Sequence, residues 1–171
     1  MSHDRYPDEF LKKTLGRARA IAVVGASANW NRPSFFVMKY LQAKGFRIIP
    51  VNPKEAGNEI LGEKVHASVA DIPGPIDMVD VFRNSQEAGA ICDEAIAKGA
   101  KIVWMQIGVR NDAAARRAEK AGLTVVMNRC PKIEPCLSGW LPIMLPGEST
   151  HHCRASRKWV LRHAPRDPAQ S

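Results

Sequence analysis

Five short apolar runs constrain the fold of this chain more than any other feature of its sequence. The first, Ala20–Val24, contains no polar residue and ends at Gly25. A strand that helices cover on both faces of a parallel sheet has such a run instead of alternating polarity. Further strands are expected at four later apolar-rich runs, which occupy 46–51, 76–82, 101–106 and 123–127.

Helical signals separate most of these runs. An N-terminal helix is expected before the first strand, and Pro33 opens a second helix, since its fixed φ suits the first helical position. Asn84 and Glu87 have the spacing of a capping box in front of a third helix. Either Asn111 or Asp112 is expected to cap a fourth.

Strands that alternate with helices require right-handed crossovers, which place the strands in one parallel sheet. The predicted fold class is therefore α/β: a Rossmann-like, doubly wound, five-stranded parallel sheet with helices on both faces. Residues 1–136 form the predicted domain. The stretch 53–75 is rich in proline and glycine and is expected to be irregular, apart from a helical turn near 68–71. Periodicity disappears after Leu137, so 137–171 is predicted to be an irregular basic tail.

Composition narrows the class of partner. The 171 residues carry a net charge of +8 without a nucleic-acid-binding motif, so a phosphorylated small molecule is the favoured partner. No apolar stretch reaches the roughly 20 residues that cross a bilayer, and the polar N-terminus lacks the apolar region of a secretion signal. We therefore expect no membrane partner and a cytoplasmic location. The four cysteines form no CxxC pair, and no metal site is expected.

The ligand is expected beyond the carboxyl ends of the strands, where the strand order of an open parallel sheet reverses. Polar or glycine residues follow each predicted strand there. Four cations lie in these segments, at Arg32, Lys54, Arg83 and Arg129. Their position favours an anionic ligand.

The loops after the first two strands narrow the choice of nucleotide. A nicotinamide dinucleotide fingerprint would read G-x-G-x-x-G; Gly25 is present, but Ser27 and Trp30 replace the second and third glycines. After the second strand, the Asn-Pro-Lys segment 52–54 stands where NAD enzymes place a carboxylate for the ribose diol. A lysine there favours a nucleotide with a phosphorylated ribose, and both NADP and coenzyme A satisfy that condition.

Six segments of the chain form a specific pattern, at 21–27, 32–34, 48–54, 79–83, 103–108 and 127–131. In these segments the chain resembles the small CoA-binding protein family, which is related to the CoA-binding domain of the succinyl-CoA synthetase α subunit. The resemblance implies that coenzyme A is the ligand. It also implies the binding residues: Gly25, Ala26 and Ser27 at the phosphates, with Arg32 over them; Asn52, Pro53 and Lys54 at the adenine-ribose end; Phe82 and Arg83 along the groove; Gln106, Ile107 and Gly108 at the pantetheine arm; and Asn128, Arg129 and Cys130 on the far side.

The predicted function is the binding of coenzyme A or acyl-CoA by a non-catalytic module. No catalytic residues are identifiable, because Asp77 and Asp80 stand three apart and point to opposite faces of a strand. The alternative is an NADP-binding oxidoreductase or a regulatory subunit, although neither Tyr6 nor Tyr40 is expected near the groove. A homodimer or a larger enzyme assembly remains open.

Cys130 carries the one further chemical hypothesis. Its thiol either forms a mixed disulfide with the thiol of coenzyme A, favoured by the cationic neighbour Arg129, or is a packed free thiol.

Overall fold

The structure, a computed structural model, describes residues 3–134. Its elements, in chain order, are α1 (Asp8–Gly16), β1 (Ala20–Val24), α2 (Pro33–Ala43), β2 (Arg47–Val51), β3 (Glu59–Ile60), β4 (Glu63–Lys64), β5 (Met78–Val81), α3 (Ala88–Ala97), β6 (Ile102–Met105), α4 (Asp112–Lys120) and β7 (Thr124–Val126). Within 3–134, no helix combines the length and apolar character needed to cross a membrane. The predicted tail at 137–171 and the domain boundary at 136 lie outside the described residues.

Five strands form one parallel sheet in the order β2-β1-β5-β6-β7. Val23 of β1 pairs with Pro50 of β2 and with Asp80 of β5, and Asp80 in turn pairs with Trp104 of β6. Pro50 is tolerated because β2 is the last strand of this sheet, where a missing N–H breaks no central ladder. The arrangement confirms the predicted Rossmann-like α/β fold.

Helices cover both faces of the sheet. The core under α3 and α4 includes Val79 and Val81 of β5. The core under α1 and α2 includes Met78 of the same strand and the fully buried Trp104. Since successive strand residues enter opposite cores, Asp80 shares the face of Met78 and belongs to the α1–α2 side.

The helix starts follow the local signals in the sequence. Pro33 is the first residue of α2. Of the two candidates for the cap of α4, Asn111 takes the role: its Oδ1 accepts the N–H of Ala114 at 3.0 Å. Asn84 Oδ1 accepts the N–H of Glu87 at 2.9 Å, which caps the turn that leads into α3.

The stretch 53–75 contains a small hairpin that the sequence pattern does not indicate. Here β3 and β4 pair antiparallel, and just beyond them His66 forms a parallel bridge with Val51 at the edge of the main sheet. Two-residue strands are too short to show a hydrophobic period. Near 68–71, where a helical turn is expected, the chain forms a single hydrogen-bonded turn, in which the N–H of Ile72 donates to the carbonyl oxygen of Val69 at 3.4 Å. Side-chain hydrogen bonds between Ser68 and Asp71 support it.

Candidate functional site

The strand order reverses between β1 and β5. From β1 the chain passes through α2 to β2 on one side, and it then crosses to β5 on the other side of β1. The loop after β1 (25–32) and the loop after β5 (82–87) therefore diverge at the carboxyl edge of the sheet. We call the space that they bound the strand-end crevice. Open α/β sheets bind their ligands at such a point.

Gly25 lets the backbones of these two loops lie close together where the loops begin, before they diverge. Its φ of +92° lies in the left-handed region, and a Cβ there would stand 3.1 Å from the carbonyl oxygen of Phe82. Its N–H donates to the carbonyl oxygen of Val51 at 2.9 Å. Both the backbone conformation and the lack of space therefore require glycine.

Asn52 joins the loops that follow β1 and β2. Its Nδ2 donates to the carbonyl oxygen of Ala26 at 2.8 Å, and its Oδ1 accepts the N–H of Lys54 at 3.1 Å. The amide is thus used within the protein, where it fixes the backbone that carries the exposed Pro53 and Lys54 at the rim.

The loop after β1 is organised largely by its own hydrogen bonds. Ser27 Oγ accepts the N–H of Asn29 at 3.2 Å, and Arg32 is exposed just before α2 without capping that helix through its side chain. The N–H of Ala28 donates to Oε2 of Glu55 at 3.2 Å. A carboxylate from the loop after β2 therefore occupies a donor of the loop that is expected to hold phosphates.

A cavity of about 250 Å³ opens on the α3 side of the crevice. Its polar groups come mainly from Ser68, Arg83, Glu87 and Glu94, and its apolar wall from strand ends and α3. The lining residues are Val24, Val51, Pro53, Ala67, Ser68, Arg83, Glu87, Ala90, Ile91 and Glu94. Two predicted positions from different loops, Pro53 and Arg83, thus share one cavity.

A second set of contacts joins the loops after β6 and β7. The N–H of Gly108 donates to Asn128 Oδ1 at 2.8 Å. Ile107, in the loop after β6, is 60% exposed to solvent. Gln106 is buried, at 5% exposure, and its Nε2 donates to both carboxyl oxygens of Asp80, at 2.8 and 3.0 Å.

The carboxyl groups of Asp80 and Asp77 have opposite environments. Asp80 is 0% exposed, and burial raises its pKa to about 7, although the hydrogen bond from Gln106 opposes the rise. Burial alone would also raise the pKa of Asp77, but Lys101 Nζ at 2.7 Å and two backbone N–H groups outweigh it and lower that pKa. Asp77 lies at the amino end of β5, away from the crevice.

The segment after β7 carries Arg129 and Cys130. The guanidinium of Arg129 lies 5.5 Å from the centre of the Tyr6 ring and donates to the carbonyl oxygen of Asp4 at 3.2 Å. Burial raises the pKa of the Cys130 thiol, against weaker opposing hydrogen bonds from the N–H groups that follow it. A buried thiol with a raised pKa is a poor nucleophile, which weighs against the mixed-disulfide hypothesis.

Comparison with known proteins identifies the family of the chain. Residues 19–135 match the family described as a CoA binding domain. The chain belongs to this family. The uncharacterised protein YneT of Bacillus subtilis is 40% identical to it over 123 residues, which cover 72% of this chain and 90% of that protein. The resemblance found in the sequence is thereby confirmed.

Two further relatives extend the comparison of this CoA-binding domain. A hypothetical protein from Pyrococcus horikoshii OT3 superimposes with a TM-score of 0.72 and 41% identity, covering 79% of this chain and 96% of that one. The α subunit of ADP-forming acetate–CoA ligase I of Pyrococcus furiosus is 34% identical over 95 residues, which cover 53% of this chain. The match covers 21% of that subunit, so the chain spans about a fifth of the subunit's length.

The predicted binding positions of the CoA-binding domain fall into groups. Direct contacts or the shared cavity bring together Gly25, Ala26, Asn52, Pro53, Phe82 and Arg83. The contacts at the ends of β6 and β7 involve Gln106, Gly108 and Asn128. Exposed positions on the surrounding loops are Arg32, Lys54 and Ile107, while Ser27 bonds within its own loop, and Arg129 and Cys130 lie in the segment after β7. Their contact with a ligand stays a prediction.

Sequence reasoning missed three features of the domain. Glu55 directly follows the segment 48–54, but nothing in the sequence indicates that its carboxylate reaches Ala28. The pairing of Asp80 with Gln106 depends on the register between β5 and β6, which apolar runs do not fix. The far wall of the cavity comes from the stretch 53–75 and from α3, whose relative placement is a tertiary property. Among residues 3–134, no cluster of three or more His, Cys, Asp or Glu side chains is arranged to hold a metal ion.

Proposed function

We propose that this CoA-binding domain binds coenzyme A or an acyl-CoA in the strand-end crevice and acts as a non-catalytic module. The observation that carries the proposal is the crevice itself. It lies at the reversal of strand order, its loops meet at Gly25 and Phe82, and the adjoining cavity contains Arg83. The description of the family names coenzyme A as the ligand.

The nucleotide end of the ligand suits the side of β1 and β2. Val24, Val51 and Ile91 give the cavity of about 250 Å³ apolar walls that match the faces of an adenine ring. Arg83 lines the same cavity, and Lys54 is exposed on the neighbouring loop. We assign the 3′-phosphate to Lys54, since an ammonium group on a flexible stem is an effective point charge for a phosphate.

The pantetheine arm is proposed to run across the ends of β5 and β6 to the loop 106–108. Ile107 offers an exposed apolar surface there, and the hydrogen bond between Gly108 and Asn128 makes a fixed floor. The arm contains two amide groups, so hydrogen-bonding partners along its path contribute to affinity.

The non-catalytic role is proposed because the acidic groups around the crevice already have partners. Glu55 accepts from Ala28, and Glu94 accepts the N–H of Val69 at 3.1 Å. Asp80 is enclosed beneath the strand ends. In the ligase α subunit of Pyrococcus furiosus, the matching stretch makes up 21% of the chain. The chain is therefore proposed to hold the ligand, either as a dimer or within a larger enzyme assembly.

NADP is the second candidate ligand, since Lys54 also suits a 2′-phosphate. Hydride transfer from it would require a proton donor near the crevice. The hydroxyl of Tyr6 is not available for that role, because it accepts the N–H of Met127 at 2.8 Å and bonds His3 Nδ1 at 2.7 Å. This arrangement favours coenzyme A over a reductase function.

Titration calorimetry with coenzyme A, dephospho-CoA and NADP tests the proposal. We expect coenzyme A to bind more tightly than dephospho-CoA, and Lys54→Ala to weaken coenzyme A about fivefold or more while leaving dephospho-CoA unchanged, since a charge-assisted contact contributes about 1 kcal/mol or more. Lys64→Ala, at an exposed lysine of β4, is the matched control and should leave both affinities unchanged. Binding of NADP without binding of coenzyme A would overturn the proposal.

A further inference from the structure

A buried hydrogen-bonded pair lies directly beneath the candidate pantetheine path. Asp80, in the central strand β5, is 0% exposed, and both of its carboxyl oxygens accept from Gln106 Nε2 at 2.8 and 3.0 Å. Gln106 follows β6 at the carboxyl edge of the sheet, between Asp80 and the exposed Ile107. The pair therefore connects the interior of the sheet to its carboxyl edge at the end of β6, the strand next to β5.

The oxygen of the Gln106 amide, Oε1, is not used by Asp80. This oxygen makes no hydrogen bond with any residue in 3–134, yet every fully buried side-chain oxygen and nitrogen in that range has a partner. Oε1 is consequently accessible from outside. In this arrangement the pair presents a hydrogen-bond acceptor at the carboxyl edge of the sheet.

The protonation state of Asp80 decides which atom of the Gln106 amide, Oε1 or Nε2, faces outward. An ionised carboxylate only accepts, so it holds Nε2 inward as observed. A protonated carboxyl needs an acceptor for its O–H. The amide of Gln106 supplies one when it turns to place Oε1 on the carboxyl O–H and Nε2 on the other oxygen. The outward acceptor is then withdrawn.

The surroundings of Asp80 contain little that competes with this exchange. In register on the two neighbouring strands are Val23 and Trp104. The helices α1 and α2 cover this face mainly with apolar residues, and their buried polar side chains, Thr14 and Ser34, are uncharged hydroxyls. Of the titratable groups described, the Cys130 thiol after β7 interacts electrostatically with Asp80. Burial raises the pKa of Asp80 to about 7, so both protonation states are populated near neutral pH.

We propose that Asp80, acting through Gln106, switches the surface at the end of β6, on the proposed pantetheine path, between a hydrogen-bond acceptor and a hydrogen-bond donor, and that coenzyme A binds the form in which Asp80 is ionised. The inference rests on the proposed function. The amide N–H groups of the pantetheine arm are donors that require the outward Oε1. Asp80 does not touch the ligand: it is a positioning residue for Gln106.

The switch has a measurable consequence for binding. A ligand that selects the ionised form loses apparent affinity in proportion to the population of that form. Between about pH 8.5 and about pH 5.5, a group that titrates near 7 becomes mostly protonated, and the apparent Kd should rise by up to about 30-fold. Binding near neutral pH should also release a proton, because the ligand favours ionised Asp80.

Calorimetric titration of coenzyme A across this pH range tests the inference. The 3′-phosphate of the ligand itself titrates near pH 6, so variants rather than the absolute profile are compared. Asp80→Asn keeps the shape of the protonated side chain and should bind weakly at every pH, without the steep rise of the wild-type Kd toward low pH. Asp77→Asn makes the same chemical change one residue outside the other end of β5 and should retain the wild-type profile.

A further variant tests the role of the amide. Gln106→Met removes the amide and should flatten the profile as Asp80→Asn does, and a wild-type profile in Gln106→Met would overturn the inference. NMR of labelled aspartate carboxyl carbons gives an independent reading: the titration of Asp80 should move to lower pH when coenzyme A is added.

The two proposals fail in different ways. If the wild type binds coenzyme A with the same pH profile as Asp80→Asn, the switch is wrong and the binding function stands. If the wild type binds no coenzyme A at any pH, the proposed function is wrong, and this inference is wrong with it.

Discussion

The carboxyl group of Asp80 ties the stability of the folded domain to pH. Its pKa is about 7 in the folded protein against an ordinary value of 3.8, so the folded state keeps a proton that the unfolded chain loses between those values. The free energy of unfolding should therefore fall as pH rises through that window and level off above it. Asp80→Asn should remove this fall and raise stability at about pH 8 by a few kcal/mol, with a ceiling of about 4 kcal/mol at about 1.4 kcal/mol per pKa unit.

Urea unfolding at several pH values checks this prediction, and Asp77 provides a contrast of opposite sign. Because the folded pKa of Asp77 is lowered, its contribution to stability is present above the ordinary pKa and is lost as pH falls through the folded value. Asp77→Asn should therefore lower stability at neutral pH. Equal stability of wild type and Asp80→Asn at about pH 8 would show that burial costs Asp80 nothing.

Gly25 is the residue at which backbone conformation and close packing coincide. Gly25→Ala adds a Cβ 3.1 Å from the Phe82 carbonyl oxygen at a φ of +92°. Gly57→Ala is the matched control, with a φ of +88° and nothing within 4 Å of the added Cβ. Both variants should lose about 1 kcal/mol from the left-handed conformation, and Gly25→Ala should lose a further ~1–2 kcal/mol from the clash. Denaturant unfolding measures both, and equal losses would contradict the steric part.

At the scale of elements, a hydrogen bond between the loops after β1 and β2 uses a backbone N–H that a bound phosphate could otherwise accept from. The Glu55 carboxylate accepts from the N–H of Ala28 in the loop that we assign to the phosphates. We expect Glu55→Gln to bind coenzyme A several-fold more tightly, because it removes a negative charge near the pyrophosphate. Glu59→Gln makes the same charge change at an exposed position of β3 and should have little effect in the same calorimetric titration. Weaker binding by Glu55→Gln would instead indicate that the carboxylate organises the loop.

The elements differ in how far the sequence alone predicts them. All five strands of the main sheet are predicted because each is largely buried on both faces, which makes its apolar run visible. Pro33 and Asn111 mark helix starts through preferences of the residues themselves, which can be recognised in the sequence. The hairpin of β3 and β4 is not predicted, because its two-residue strands are stabilised by pairing and by the edge of β2 rather than by a periodic pattern.

The candidate site is predictable to a lesser extent, and for a physical reason. Its loops follow strand ends, so the sequence predicts that Gly25 and Asn52 lie at the carboxyl edge of the sheet. Which groups bond to which is set by register and by loop packing: Asn52 reaches Ala26, and Gln106 reaches Asp80 across β5 and β6. Such pairings join residues that are distant in sequence, and no local pattern specifies them.

Over the whole molecule, the N-terminal segment links the start of the described chain to its end. The Tyr6 hydroxyl accepts the N–H of Met127 at 2.8 Å across 121 positions of sequence. Its ring stacks on Phe10 of α1 at 5.8 Å and lies under Arg129. Residues 3–6 thus cover the end of β7, next to the loop that holds Asn128.

Removing the Tyr6 hydroxyl tests how much this link contributes. Tyr6→Phe keeps the stacked ring but leaves the buried N–H of Met127 without its acceptor, so the domain should lose about 1–3 kcal/mol of stability. Amide hydrogen exchange should show faster exchange at Met127, with no change at Val79 and Val103, which pair in the centre of the sheet. His3→Ala removes the other partner of the hydroxyl and should leave Met127 protected, since Tyr6 still accepts its N–H. If Met127 stays equally protected in Tyr6→Phe, residues 3–6 do not close this end of the sheet, and β7 is held by its pairing with β6 and by the packing of Val125 and Val126 in the two cores.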